Sequence, residues 1–272
     1  MLLQIRDLTV EFATAGQWVR AVDGVSLALE VGQTLGLVGE SGSGKTTLGL
    51  ALARLLQEPP ALIRAGRVLF EGQDVLQMPR ASLERLRGRR ITYVFQEPST
   101  SLNPVLTIGQ QLVEMLERHT DRRGAAARQR AMELLEDVGL PAAKERLPAY
   151  PHELSGGMKQ RVMIAMAIAS HPSLVVADEP TTALDVTIER QIVQLLRRLV
   201  AQLGLSLLII SHNIRLVEQL AGRIAVMRQG RIVEEGETGR VLSAPQHAYT
   251  RQLLAAEPRI PSPAGDETQR SG

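Results

Sequence analysis

The chain has 272 residues, 44% of them hydrophobic, and a formal net charge of +2, enough to build a substantial core as one compound domain or two close-packed ones. It contains no cysteine, which excludes disulfides, cysteine-ligated zinc and iron–sulfur clusters, and its charge is too mild for a nucleic-acid binder. No apolar run approaches the ~18–20 residues that span a bilayer, and Arg6, Asp7 and Glu11 interrupt the early apolar residues where a signal peptide would sit, so a cytoplasmic protein is expected, meeting any membrane through partners.

Leu3–Phe12 and Val25–Val31 alternate apolar and polar residues in part, as half-buried strands of an antiparallel layer do. Thr34–Gly39 is a short apolar run ending in glycine, the pattern of a buried parallel strand. Next comes Gly39-Glu40-Ser41-Gly42-Ser43-Gly44-Lys45-Thr46, which fits the phosphate-binding pattern G-x-x-x-x-G-K-[ST]. From Lys45 onward, through Thr47, Leu48, Leu50, Leu52, Leu55 and Leu56, the sequence reads as a helix with leucines on its core face. The three loop glycines permit backbone conformations in which successive N–H groups turn toward phosphate oxygens, reinforced by the positive end of the helix. Lys45 is placed to reach the β- and γ-phosphates of a nucleoside triphosphate, and the Thr46 hydroxyl to ligate Mg²⁺. Gly66–Gly72 reads as a further strand of the antiparallel layer.

Ile91–Phe95 is another strand, followed at once by Gln96. From Pro98 to His171 the texture is helical: Ile108–Glu117, Ala125–Val138 closed by Gly139, and Met158–Ser170. Ser155, Gly156 and Gly157 stand at the start of that last helix and form a second candidate anion site. Leu174–Ala177 is an apolar strand ending in Asp178, and a carboxylate at the C-terminal edge of such a strand lies where ligands of open α/β sheets bind. Asp178 is therefore expected to hold Mg²⁺, and Glu179 to act on an attacking water as base or orienting group. Strand and helix then alternate through Ile188–Leu203, Leu205–Ile210, Ile214–Leu220 and Ile224–Met227. Ile188, Ile192, Leu195, Leu199 and Leu203 make a core stripe. Residues 257–272 lack periodicity and are expected to be disordered.

The phosphate loop, Leu154-Ser-Gly-Gly-Met-Lys-Gln160 and Ala177-Asp178-Glu179-Pro180 together resemble the ATP-binding subunits of ABC transporters. The resemblance implies an α/β P-loop NTPase cassette over residues 2–256, with a RecA-like core, an antiparallel β layer and an inserted α-helical subdomain at about 98–172. It further implies ATP and Mg²⁺ as ligands and Glu179 as the catalytic residue. Gln96 would touch Mg²⁺ and the attacking water, and His212, after the strand that follows Asp178, would contact the γ-phosphate. Ser155-Gly156-Gly157 would face the γ-phosphate held by the opposite subunit, with Asp185 of Ala183-Leu-Asp185 at the dimer seam. Two ATP molecules would then lie between two ATPase subunits. For the adenine-stacking aromatic, Phe12 aligns best and Trp18 is the alternative, beyond an apparent insertion at Ala13–Gln17.

Two further segments, Gln96-Glu-Pro-Ser-Thr-Ser-Leu-Asn-Pro104 and Ala244-Pro-Gln-His-Ala-Tyr-Thr-Arg-Gln-Leu-Leu-Ala-Ala256, resemble one branch of the family. That branch imports dipeptides, oligopeptides, and nickel or metal chelates. The implied partners are a second ATPase subunit, homologous or identical, two transmembrane permeases and, indirectly, a substrate-binding protein, at the cytoplasmic face of the cell membrane and without nucleic acid. Many peptide-importer subunits carry a cysteine-containing C-terminal extension; this sequence has none, which keeps a nickel or metal-chelate importer as the alternative. A reading from another class, an ABC ATPase of DNA repair or chromosome maintenance, requires sustained heptads between Lys45 and Ser155 or zinc-binding cysteines, and both are missing.

Overall fold

The computed structural model describes residues 1–14, 16–182 and 184–256. Ala183 of the expected dimer-seam segment and the expected tail at 257–272 lie outside the described residues. The chain opens with strands β1 (Leu3–Thr14), β2 (Gln17–Leu29) and β3 (Thr34–Val38), then helix α1 (Lys45–Ala51), β4 (Ala61–Phe70), β5 (Gln73–Asp74) and α2 (Arg80–Leu86). Strand β6 (Ile91–Val94) leads into five helices: α3 (Pro98–Ser101), α4 (Ile108–His119), α5 (Gly124–Asp137), α6 (Ala143–Arg146) and α7 (Gly156–Ile168). Then follow β7 (Leu174–Asp178), α8 (Val186–Leu203), β8 (Ser206–Ser211), α9 (Ile214–Leu220), β9 (Arg223–Arg228), β10 (Arg231–Glu237), α10 (Thr238–Ser243) and α11 (Ala248–Ala256).

Among the described residues ten strands form two sheets, an antiparallel one in the order β2-β1-β4-β5 and a mixed one in the order β10-β9-β3-β8-β7-β6. All pairs of the second sheet are parallel except the edge pair β9–β10. Successive side chains of a strand point to opposite faces, and both faces here are covered. Along β8, Leu208 and Ile210 join the core shared with the antiparallel sheet and α1, whereas Leu207 and Ile209 join the core of the helical side. The helical core is continuous. It runs from Leu112 and Leu116 of α4 and Leu134 and Leu135 of α5, through Val162 and Ile164 of α7, to Ala177 and Ile209 of the sheet. Helix α7 is buried on nearly every side because it lies inside this core, which explains its almost uninterrupted apolar sequence.

Several boundaries differ from the sequence reading for physical reasons. The first two strands extend into a long hairpin in which Thr14 pairs with Gln17 and Gly16 has a left-handed φ of 84°. Helix α1 stops at Ala51, and Arg54 adopts a left-handed φ of 49°; Leu55 and Leu56 pack on the core from the loop beyond. Strand β10 escaped notice because it is an edge strand with three glutamates, although Gln229 and Gly230, both at positive φ, are a two-residue hairpin signal. Leu203, 37% exposed, falls off the α8 stripe just before Gly204 ends the helix in the left-handed region.

Candidate functional site

Register brings the motif residues to one edge. Val38 pairs with Ser211, Asp178 with Ile210, and Val94 with Ala177, so β3, β7, β8 and β6 end nearly level. The residues that follow, Gly39, Glu179, His212 and, one position further on, Gln96, therefore leave the sheet side by side. A cleft of about 580 Å³ opens there, lined by Gly39, Glu40, Ser41, Gly42, Gly44, Lys45, Thr46, Thr47, Gln96, Glu179 and His212, together with Ala21, Leu253 and Ala256.

The loop from Gly39 to Thr46 is shaped by close backbone approach. A Cβ on Gly44, whose φ is 102°, would stand 2.1 Å from the Ala21 carbonyl oxygen, and one on Gly39 would stand 2.1 Å from that of Met227. Only glycine fits either place. Lys45 is 6% exposed and folds back on the loop, its Nζ donating to the carbonyls of Gly39 and Glu40, both at 2.8 Å, and to Ser43 Oγ at 3.4 Å. Burial lowers its pKa below the ordinary lysine range, against the pull of the Glu179, Asp178 and Glu40 charges. Ser43 is itself buried beneath the loop.

Two carboxylates face this ammonium with opposite degrees of satisfaction. Asp178 is 7% exposed and its Oδ1 has no hydrogen-bond partner. Burial pushes its carboxyl above the usual aspartate range, opposed by the Thr46 hydroxyl and Lys45. An orphaned buried carboxylate oxygen next to a threonine hydroxyl fits a hard divalent cation, which takes oxygen ligands. Glu179 is held tightly. Its Oε1 accepts from the His212 backbone N–H at 2.8 Å and lies 2.7 Å from His212 Nδ1, while its Oε2 accepts from Ser211 Oγ at 3.2 Å and Thr182 Oγ1 at 3.3 Å. Its backbone is left-handed, with φ 48°, and is anchored by an N–H bond to the Ile210 carbonyl at 2.8 Å. Such strain in a non-glycine residue persists where surroundings fix it, often at functional positions.

Other sequence-selected residues stand apart from the cleft. Ser155 caps α7, its Oγ accepting from Met158 N–H at 3.4 Å; it and Gly156 are exposed. Gly157 is buried, and a Cβ there would meet Ile188 Cγ2 of α8 at 2.6 Å. Asp185 is exposed and caps α8 through Ile188 N–H at 2.9 Å. The structure does not bring Phe12 into the site: it pairs with Val19 and Ala61 and packs half-buried on the inter-sheet core. Trp18 is 51% exposed with the Arg64 guanidinium 4.5 Å over its ring. Sequence reasoning missed Ser211 and Thr182 as the partners of Glu179, and Ala21, Leu253 and Ala256 as lining residues. The amphipathic character of α11 was legible, but where it docks was not.

A family model described as ABC transporter matches residues 22–182. The chain is 51% identical, over 98% of its length, to the peptidoglycan transport ATP-binding protein YejF of Agrobacterium fabrum, and spans 49% of that relative. It is 44% identical, over 98% of its length, to the oligopeptide transport ATP-binding protein OppD of Bacillus subtilis, of which it covers 74%. Among solved structures, the ATP-binding cassette MJ0796, a dimer bound to ADP and Pi, superimposes with a TM-score of 0.78 at 27% identity, over 87% of this chain and 99% of that one.

Proposed function

Because the chain belongs to the ABC transporter family, we propose that it is the ATP-binding and ATP-hydrolysing subunit of a peptide importer. The observation that carries the ATPase reading is the juxtaposition, in one cleft, of a buried loop lysine, an aspartate with an unpartnered oxygen beneath, and a glutamate fixed on both oxygens.

On this reading Lys45 exchanges the carbonyls of Gly39 and Glu40 for the β- and γ-phosphates, and the loop N–H groups of Gly42, Gly44 and Thr46 face the same anion. Thr46, Asp178 and Gln96 would hold Mg²⁺, whose charge offsets that of the phosphates when bound. Glu179 orients the attacking water and accepts its proton, and Ser211 and Thr182 fix the direction in which it does so. His212 shares Oε1 of Glu179, so its ring position governs how much of that oxygen is available to water. Positioning and charge stabilisation are the main work of a protein in phosphoryl transfer.

Ser155, Gly156 and Asp185 are exposed, outside the cleft, and serve the site of a second ATPase subunit, homologous or identical. Among the described residues no helix is long and apolar enough to cross a membrane. The partners on this reading are two permease subunits, with a substrate-binding protein delivering cargo. The peptide assignment rests on the name of the oligopeptide transport relative at 44% identity. The unit at 2–256, with its helical insertion at about 98–172, sits at the cytoplasmic face beside those permeases. Glu179→Gln in the assembled complex is expected to keep ATP affinity and to lose turnover by about 10²–10⁴-fold. Turnover at the unsubstituted rate, measured as phosphate release, would rule Glu179 out as the group that activates water.

A further inference from the structure

The terminal helix α11 touches the phosphate loop through one buried hydroxyl. Tyr249 is 2% exposed, its ring lies 4.7 Å beneath the Arg228 guanidinium, and its Oη accepts the backbone N–H of Glu40 at 3.0 Å. That N–H belongs to the Gly39–Glu40 peptide, whose carbonyl, on the opposite edge of the same plane, accepts from Lys45 Nζ at 2.8 Å. A trans peptide unit is planar, so fixing one edge orients the other. The helix is itself pinned at its start, where the Glu234 carboxylate accepts the N–H groups of Gln246 at 2.7 Å and His247 at 3.0 Å. On its other side Gly39 lies against the Met227 carbonyl oxygen, where no side chain would fit.

We propose that Tyr249 is a positioning residue for Lys45, holding the Gly39–Glu40 peptide in the orientation that keeps its carbonyl on the ammonium. The hydroxyl of a helix outside every nucleotide motif thus sets where the loop lysine rests before phosphate arrives. Its consequence for ATP rests on the nucleotide-site reading; its consequence for Lys45 itself does not. Lysine chemistry offers a direct readout, since the chain has three lysines, Lys45, Lys144 and Lys159, and Lys144 is exposed.

The test is amine acylation of the full nucleotide-free chain, read by mass spectrometry as labelling of Lys45 relative to Lys144. Tyr249→Phe keeps the ring and removes only the hydroxyl, so Lys45 labelling is expected to rise about two- to tenfold, the range for losing one hydrogen bond, with little change in melting temperature. Because Lys45 gives up that carbonyl when phosphate binds, the Kd for ATP should tighten, by at most a similar factor. Arg228→Gln disturbs the ring but spares the hydroxyl and should leave Lys45 labelling unchanged. Unchanged labelling in Tyr249→Phe overturns the proposal, as does an equal rise in Arg228→Gln, which would assign the effect to helix docking. In the unsubstituted chain the Glu40 amide should be protected from hydrogen exchange; exchange at the rate of a free amide also overturns it. Failure of ATP to protect Lys45 in the unsubstituted chain would instead overturn the nucleotide-site reading, and labelling alone would still decide the role of Tyr249.

Discussion

The phosphate loop and the Ser155-Gly156-Gly157 segment are both glycine-rich helix starts, yet they are built differently. Gly39 and Gly44 lie against the carbonyl oxygens of Met227 and Ala21, so the loop is moulded by rigid backbone. Lys45 is buried at its centre with three acceptors. Ser155 and Gly156 are exposed, and Gly157 rests against the side chain of Ile188. One segment has its surroundings within this chain; the other presents them outward. A loop that must grip a polyanion before chemistry is set in advance, whereas a surface that must meet a second subunit can wait for it.

Substituting on each side would sharpen or break that contrast. The largest effect is expected from Ser155→Arg, which should abolish ATP-driven dimerisation while leaving the chain's own loop able to bind ATP. Analytical ultracentrifugation with ATP, in the Glu179→Gln background to suppress turnover, is the measurement, and undiminished dimerisation would sink the shared-site geometry. Lys45→Ala should do the reverse, weakening ATP binding by about 10–100-fold through loss of a charge-assisted contact, as calorimetry would register. Gly44→Ala places a side chain at a left-handed φ against an immovable carbonyl and should cost about 3 kcal/mol or more of stability. Gly157→Ala meets only a methyl group of Ile188 and should cost about 1–2 kcal/mol. Denaturant melts would rank the two glycines, and Ile188→Ala, which removes the Cγ2 methyl, should relieve part of the second clash but none of the first. Equal losses at Gly44 and Gly157 would erase the contrast.

Much of the site was legible because its residues follow short apolar strands. Gly39, Asp178 with Glu179, His212 and Gln96 each come just after a run that could only be a buried strand, and parallel register does the rest. What was not legible depends on contacts far apart in sequence. No local pattern says that Tyr249 reaches Glu40, or that Ser211 and Thr182 share one oxygen of Glu179. Phe12 shows the limit of alignment by position: its place on β1 was clear, but the side toward which its ring packs is set by β2 and β4. Helix boundaries strayed where a single left-handed residue, Arg54, ended α1 inside an otherwise helical leucine pattern.

The unbroken core beneath α4, α5 and α7 has a consequence for how the molecule comes apart. Val162 and Ile164 are enclosed jointly by helices and sheet, so the helical insertion shares its interior with the sheet. Residues 98–172 expressed alone would lay that shared surface bare to water. Heating should therefore melt insertion and sheet in one cooperative step, with no stage at which the arm survives separately. A helical insertion packed this way can tilt against the sheet only as far as side chains such as Ile164 can slide without opening a void.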